Sequence, residues 1–314
     1  MATHKAAVAH AKGRPLKVEV RPTSKPGPDE LLLDVKSIAL NPIDAYSCIV
    51  LEAGPGVSSV LKPGTRVSAF APAYFVRGAL NYGAFQERVL VPASNAAPIP
   101  DALGFNEAAV FPMALTISWA GWKNIGISRD AAFVKQKQGV LVWGASSSVG
   151  TMAVQTARLL GFTHHDYVHA LGATHVFDYQ EVGIEDAMVR AARGDGLTFQ
   201  YGYDAVGVLQ SCLNVLKALK GDRPAYLASA PIPSRDYDPT ENIEVKFMVM
   251  SADKAKRTDE YTFWFNVRLK EKLASGELVP SLKIQVVKGG LAAINTGLDL
   301  LQKGVSCIKL VLEI

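Results

Sequence analysis

The chain has 314 residues, of which 49% are hydrophobic and 20% charged, a composition typical of a globular protein long enough for two domains. Its 33 basic and 29 acidic residues give a formal net charge of +4, which is too small and too dispersed for a nucleic-acid-binding protein. The three cysteines form no disulfide framework and no apolar run reaches the length of a membrane span, so we expect a cytoplasmic protein that binds no membrane.

The N-terminal third of the chain is rich in predicted strands. Short runs of β-branched and apolar residues alternate there with Gly, Pro and Asp, a pattern of strands joined by turns. The pattern then changes to helical periodicity over 106–122, with Asn106 as the predicted N-cap. The predicted strands are 4–10, 17–22, 30–40, 65–70 and 86–92.

The middle of the chain alternates between strand and helix patterns. This alternation predicts a parallel sheet covered by helices. The tail then returns to mixed texture, with helices over 259–276 and 291–304 and strands over 282–287 and 308–314. The alternating elements are strands 139–145, 174–179, 201–207, 224–230 and 244–252 and helices 148–161, 184–193 and 209–220.

One glycine-rich turn has the chemistry of a phosphate site. The segment "GASSSVG" at 144–150 ends an apolar strand and opens a helix, as a dinucleotide-binding turn does. The three glycine positions of the G-x-G-x-x-G pattern fall on Ala145, Ser147 and Gly150, and only the last is glycine. Amides at a helix N-terminus favour a pyrophosphate, and the serine hydroxyls add donors. The alternative is an ordinary strand-to-helix turn of small residues.

Several segments, taken in order, resemble the medium-chain dehydrogenase/reductase superfamily. The resemblance is closest to its zinc-independent quinone oxidoreductases and to the fungal trans-acting enoyl reductases that serve polyketide synthases. It implies an α/β fold with a GroES-like β-rich catalytic domain, at 1–112 plus 253–314, and a Rossmann domain with a doubly wound parallel sheet, at 113–252. The matching segments are "ALNPIDAY" (39–46), "VLKPGTRVSAFAP" (60–72), "YGAFQERVLVPA" (82–93), "AAVFPMALTISWAG" (108–121), "GASSSVG" (144–150), "LGATHVFDY" (171–179), "YDAVG" (203–207) and "GVSCIKLV" (304–311).

The resemblance implies an NADPH-dependent reductase that transfers a hydride to the β-carbon of an activated C=C bond. We expect an enoyl reductase for polyketide-type acyl chains, presented as small molecules or on a carrier protein. A polyketide synthase is then the expected partner, and the enzyme is a monomer or a homodimer. A quinone or enone oxidoreductase is the alternative within this class. A catalytically weak binding protein is the alternative outside it.

The same resemblance assigns residues to the cofactor. The loop after the third predicted strand matches the family's loop near the nicotinamide, and the glycine-rich turn matches its pyrophosphate site. In the C-terminal loop the family reads Ser-Gly-Lys-Lys, whereas this chain has Cys307 in the glycine position, and cysteine lacks the backbone freedom of glycine. For Tyr179 the alternative is a surface aromatic. The implied cofactor residues are Asn41, Pro42, Ile43, Asp44, Ser146, Ser147, Ser148, Val149, His164, Tyr179, Val305 and Ser306.

Two residues are candidates for catalysis. Tyr46 matches a tyrosine that faces the nicotinamide in the family, where it either donates a proton or only lines the pocket. Thr116 can hydrogen-bond in the segment where the family's substrate cleft meets the cofactor, while packing alone explains Leu115 and Ile117 better. The implied substrate residues are Phe111, Pro112, Met113, Ala114, Leu115, Thr116, Ile117 and Ser118.

We expect no metal site. Zinc members of the superfamily place a cysteine ligand where this chain has Asn41, and the segment 66–83 contains no cysteine cluster for a structural zinc. His164 and His165 are adjacent, so on a helix their side chains diverge by about 100° and cannot chelate one ion together.

Two segments are short in comparison with the family. The chain passes directly from "NPIDAYS" to "IVLEAG", and only residues 161–163 stand where the strand before the 2′-phosphate loop belongs. Either the sequence is part of the natural polypeptide or the deletions are real. Loss of a central strand would leave backbone groups unpaired, at roughly several kcal/mol, which favours the first explanation. A break between 163 and 164 would settle the question, and the expectation of NADPH over NADH rests on the family alone.

Overall fold

The computed structural model describes residues 2–41, 45–131, 138–160, 171, 173–232 and 242–314, without the side chains of Ala45 and Tyr46. The chain divides into two compact units, Met1–Met113 with Ser251–Ile314 and Ala114–Met250. A search of the described helices finds none with the length and apolar character of a membrane span.

The described strands are β1 (Thr3–Val8), β2 (Lys17–Pro22), β3 (Glu30–Ala39), β4 (Ala45–Ala53), β5 (Arg66–Phe70), β6 (Arg88–Pro92), β7 (Ala96–Pro98), β8 (Gln138–Trp143), β9 (Thr198–Asp204), β10 (Ala225–Ser229), β11 (Ile243–Phe247), β12 (Lys283–Val287) and β13 (Ile308–Glu313). The described α-helices are α1 (Phe105–Ala108), α2 (Phe111–Asn124), α3 (Ser148–Leu159), α4 (Ile184–Gly194), α5 (Leu209–Leu219), α6 (Lys254–Tyr261), α7 (Lys270–Ala274) and α8 (Ile294–Gln302). A π-helical segment, Thr262–Leu269, joins α6 to α7.

The first unit is built around a mixed seven-stranded sheet. Its order is β12-β13-β3-β4-β5-β7, with β6 also paired to β3, and β1 and β2 form a separate antiparallel pair. β3 is buried along most of its length because β4, β6 and β13 cover its two edges. β4 runs continuously through Ser47–Ile49, the first of the short segments, so β3 and β5 remain paired on either side of it.

The second unit contains four parallel strands in the order β11-β10-β9-β8. α5 packs on the sheet, and its Val215 and Leu216 are fully buried against Leu227 of β10 and Leu141 of β8. This arrangement brings the carboxyl ends of β8 and β9 side by side. Ligands of open α/β sheets bind at this edge.

The strand predicted over 174–179 is wrong. These residues pair with none of the described strands. Among the described strands, β8 is an edge strand of the parallel sheet. Phe177 packs instead on the core formed by α4 and α5, and His175 hydrogen-bonds Asp195 at 2.7 Å. These contacts hold the segment against the end of α4 rather than beside β8, and Tyr179 remains exposed.

The predicted N-cap at Asn106 is also wrong. The N-cap of α1 is Gly104, whose amide donates to the Glu107 carboxylate at 2.9 Å. The Asn106 side chain accepts from Ser37 Oγ at 2.5 Å and donates to Glu313 at 2.6 Å. The Asn106 side chain is therefore bonded to residues distant in the sequence and does not cap the helix. The predicted single helix consists of two helices, α1 and α2.

Candidate functional site

The turn between β8 and α3 is shaped for an anion. Ser147 is the N-cap of α3: its Oγ accepts from the Gly150 amide at 3.0 Å, and its own amide donates to Gly144 O at 2.9 Å. The amides of Ser148 and Val149 come next in the helix and have no intrahelical acceptor. They point out of the N-terminus, where the helix dipole adds positive potential. A pyrophosphate fits this donor set.

Two glycines allow the turn to fold so tightly. Gly144 has φ +78°, a left-handed conformation that a side chain disfavours. A Cβ on Gly150 would lie 2.1 Å from Gly144 O, a distance no real side chain tolerates. The turn is therefore fixed by backbone-to-backbone contact between its first and last residues. Ser146 is exposed at its tip, and the side chains of Ser148 and Val149 are half-buried.

Helix α2 contains a buried hydroxyl with no partner. Thr116 is 4% exposed, and its Oγ1 has no hydrogen-bond partner among the described residues. A buried polar group without a partner costs about 1–3 kcal/mol, so this hydroxyl is a candidate to bind a ligand. Its neighbour Ser118 differs: that hydroxyl lies 2.8 Å from Thr156 Oγ1, which also accepts from Trp122 Nε1 at 2.8 Å.

The other residues of 111–118 serve mainly as core. Phe111 and Leu115 are fully buried, and Ile117 is partly buried. The Ile117 carbonyl accepts from the Tyr203 hydroxyl at 3.1 Å. Burial raises the pKa of Tyr203 well above its ordinary value, so this hydroxyl keeps its proton. Pro112, Met113 and Ala114 are buried as well, which leaves Thr116 as the polar group of this segment that other side chains do not use.

In the first unit, Asn41 is held by a buried lysine. Asn41 is 7% exposed and Lys309 6% exposed, and the Lys309 ammonium donates to the Asn41 amide oxygen. The Asn41 amide nitrogen donates to Ala39 O at 2.8 Å. The contact joins the end of β3 to the start of β13, whose neighbouring residues Leu40 and Leu310 also share a backbone hydrogen bond of 2.9 Å.

This pair determines what the Asn41 position can hold. An amide oxygen that accepts from an ammonium group already faces a positive charge, which disfavours a metal cation beside it. The described residues also contain no group of three or more His, Cys, Asp or Glu side chains placed to bind a metal.

The remaining predicted residues are placed as follows. Val305 and Ser306 are exposed in the loop before β13, where Cys307 adopts φ +52°, the conformation that glycine would take. Tyr179 is 69% exposed, and the side-chain amide of Gln180 lies 3.4 Å from its hydroxyl. Tyr46 belongs to β4, opposite Ile38 of β3, but its side chain lies outside the described residues. Also outside them are Pro42, Ile43, Asp44, His164 and the 163–164 junction.

Two residues that hold these regions in place, Lys309 and Asp204, were not predicted from the sequence. Asp204 ends β9 and is fully buried, and its Oδ1 accepts from the amides of Val206, Gly207 and Val208 at 3.1, 2.7 and 3.1 Å. The signal for Asp204 was an aspartate at a strand end followed by small residues, a pattern of side-chain-to-backbone turns. No local signal identifies Lys309, because its partner is 268 residues away.

Comparison with known proteins finds curated relatives along nearly the whole chain. The chain is 38% identical over 341 aligned positions to a trans-enoyl reductase of Aspergillus flavipes, with 99% of each protein covered. It is 37% identical over 289 positions to a trans-enoyl reductase of Aspergillus terreus, covering 82% of this chain and 95% of that protein. The first alignment exceeds the 314 residues of the chain, so this relative contains residues without a counterpart here. Comparison with family models finds no match.

Solved structures show the same fold. A Rhizobium etli protein assigned to the zinc-dependent alcohol dehydrogenases superposes with a TM-score of 0.78 at 20% identity, covering 99% of this chain and 98% of that one. A mycobacterial protein complexed with NADPH superposes with a TM-score of 0.71 at 21% identity, with both chains fully covered (100%). The predicted α/β fold class, a GroES-like part and a Rossmann part, is confirmed.

Proposed function

The chain belongs to the medium-chain dehydrogenase/reductase superfamily, in its enoyl reductase branch, and from this premise we propose that it reduces the C=C bond of α,β-unsaturated acyl chains with NADPH. It is an oxidoreductase. The observation that carries the proposal is Thr116, a buried hydroxyl without a partner on the helix that the resemblance assigns to the substrate cleft. The hydride and its electron pair come from the reduced nicotinamide when it is bound.

Thr116 stabilises the growing charge. As the β-carbon gains a hydride, negative charge develops on the acyl carbonyl oxygen. A hydroxyl that is already desolvated and has no competing partner donates to that oxygen without first breaking another hydrogen bond. The partner that Thr116 lacks in the protein is, in this proposal, the carbonyl oxygen of the substrate.

Tyr46 completes the reaction. The enolate needs a proton at its α-carbon, and a phenol beside it supplies one, so that one hydride and one proton together saturate the double bond. The assignment of Tyr46 rests on the family resemblance. If Tyr46 only lines the pocket, water supplies this proton.

In this proposal the cofactor is held by the residues that the family resemblance assigns to it. Ser146 to Val149 bind the pyrophosphate through amides and hydroxyls, and the residues Asn41 to Asp44, with Val305 and Ser306, contact the nicotinamide side. His164 and Tyr179 contact the ribose end and its 2′-phosphate. The choice of NADPH over NADH rests on the family resemblance. Comparing KM for the two cofactors tests this choice.

The proposed substrate is an acyl chain on the carrier protein of a polyketide synthase. The two relatives named above are trans-enoyl reductases, which supports a substrate brought by a separate protein. The test is NADPH oxidation with a crotonyl pantetheine thioester and, separately, with a naphthoquinone. Turnover of the quinone but not of the thioester would contradict the proposal in favour of a quinone reductase. No turnover and no NADPH binding would indicate a catalytically silent relative.

Thr116 is tested with its neighbour as a control. We expect Thr116→Val to lower kcat about 100-fold, the loss typical of one transition-state donor. The thermal midpoint of Thr116→Val should stay the same or rise, because the substitution removes a buried hydroxyl that has no partner among the described residues. Ser118→Ala should do the opposite, lowering the midpoint with little change in kcat, because its hydroxyl is bonded to Thr156. Equal losses of midpoint in both variants would make Thr116 a structural residue.

A further inference from the structure

The loop that follows β9 is held in place by one buried carboxylate. Three consecutive amides, those of Val206, Gly207 and Val208, donate to the same oxygen of Asp204. The other oxygen, Oδ2, is buried and has no hydrogen-bond partner among the described residues. A charged acceptor binds amides about twice as strongly as a neutral one, so a carboxylate suits a single oxygen that serves three donors.

The same loop is fixed from both neighbouring strands. On one side, the Ala205 amide donates to Trp143 O of β8 at 3.0 Å. On the other, the Ala230 amide donates to Asp204 O at 2.9 Å. Gly207 has φ +94°, and a Cβ there would lie 3.1 Å from Pro231 Cγ. The backbone of 204–208 therefore has little freedom to move.

Val206 connects this rigid loop to the turn 144–150. A Cβ on Gly144 would lie 2.5 Å from Val206 Cγ1 and 2.9 Å from Cγ2, so the valine methyls lie directly over the glycine backbone. Gly144 O in turn accepts from the Ser147 amide and sits where Gly150 packs. A displacement of Gly144 therefore moves both the N-cap and the packing point of α3.

We propose that Asp204 and Val206 are positioning residues for the cofactor's pyrophosphate, acting through Gly144 on the turn 144–150. The inference rests on the proposed cofactor site. β8 and β9 end side by side at the edge where α/β sheets bind ligands. The loop after β9 therefore packs against the turn after β8. Val206 is 49% exposed and makes a small contribution to the core. Its replacement by alanine should therefore change the position of the turn more than the stability of the fold.

The experiment measures NADPH affinity by fluorescence titration and thermal midpoint for four proteins: unchanged, Gly144→Ala, Val206→Ala and the double variant. Gly144→Ala drives a methyl into Val206, and we expect its Kd to rise by about tenfold or more. In that background Val206→Ala makes room for the methyl, and we expect Kd to fall again by about threefold. In the unchanged background the same substitution loosens the turn and should raise Kd.

This reversal of sign distinguishes positioning from direct contact. If Val206 touched only the cofactor, its loss would weaken binding in both backgrounds. Gly126→Ala is the matched control: its φ of +87° carries the same backbone cost, but its Cβ meets nothing within 4 Å. It should lower the midpoint and leave Kd unchanged.

The outcomes separate this inference from the proposed function. Additive effects of the two substitutions, or unchanged Kd in Gly144→Ala, overturn the positioning role while the cofactor site stands. An effect of Gly126→Ala on Kd equal to that of Gly144→Ala overturns it as well. No binding of NADPH or NADH by the unchanged protein overturns both. As a second measurement, Asp204→Asn keeps the acceptor but removes its charge, and a folded variant with unchanged Kd would remove Asp204 from the proposal.

Discussion

Two regions that contain predicted cofactor residues are made in different ways. The turn 144–150 is made of backbone: its shape comes from Gly144 and Gly150 in direct contact, and its donors are amides. The end of β3 is made of side chains: Asn41 takes its orientation from the buried ammonium of Lys309. The first depends on residues a few positions apart, and the second on residues 268 positions apart.

This difference determines how each part fails. A site made of backbone should tolerate a change of side chain at Val149, which has no hydroxyl, but no added atom at its glycines. A side-chain site tolerates small shifts of backbone but depends on the charge and hydrogen bonds of a buried pair. Substitutions that add volume therefore test the turn, and substitutions that remove a polar group test the pair.

The largest effect is expected from Gly150→Ala. The new methyl would lie 2.1 Å from Gly144 O, and backbone cannot yield as a side chain does. We expect a loss of about 3 kcal/mol, the upper range for overpacking, together with loss of NADPH binding. Urea unfolding and fluorescence titration measure the two.

Its matched control is Gly194→Ala at the end of α4, where a Cβ meets nothing within 4 Å. Alanine favours helix over glycine, so this control should gain up to about 1 kcal/mol. If Gly150→Ala were as stable as Gly194→Ala, the turn would be able to relax around the added methyl. Backbone contact would then not determine the shape of the turn.

The next effect is expected at the buried pair, and it is asymmetric. Asn41→Leu removes an acceptor from a buried ammonium and should cost about 1.5–3 kcal/mol, the range for hydrogen bonds to charged groups. Lys309→Met removes the charge and keeps the apolar stem, so it should cost only about 1 kcal/mol. The double variant should be no less stable than Asn41→Leu alone. Urea unfolding of the three variants measures this, and strictly additive losses would show that the pair is not coupled.

The smallest effect is expected in alkali, at the contact between Tyr82 and Glu30 in the first unit. The Tyr82 hydroxyl donates to Glu30 at 2.7 Å, and this hydrogen bond, with burial second, raises the pKa of Tyr82 to about 12. An unfolded tyrosine titrates near pH ~10, so the folded state holds this proton more tightly. The stabilisation is complete below pH ~10 and is lost as the pH rises towards about 12.

The measurement is the difference in urea midpoint between the unchanged protein and Tyr82→Phe as a function of pH. Phenylalanine keeps the ring and has no proton to lose, so the difference should shrink through this range. A constant difference would mean that the Tyr82–Glu30 contact does not titrate as stated.

Much of the fold was predictable because its signals are local. The predicted strand over 30–40 corresponds to β3, and the turn 144–150 joins β8 to α3 as predicted. The strand predicted over 174–179 failed because Phe177 packs on α4 and α5 and none of the described strands pairs with this segment. Asn106 failed as an N-cap because Ser37 and Glu313 lie within hydrogen-bonding distance of its amide. β4 and β7 were not predicted; in the structure β4 pairs with β3 and β5, and β7 pairs with β5.

The sequence by itself determined the strand–turn–helix around residues 144–150, the alternation of strands and helices and the family. Those features follow from side-chain size and polarity at fixed short spacings, which a linear pattern records. Only the tertiary structure decided that Thr116 is a buried hydroxyl without a partner while Ser118 is bonded, that Lys309 lies against Asn41, and that Val206 covers Gly144. Each depends on which distant strands and helices become neighbours, because burial and hydrogen bonding are properties of the packed chain.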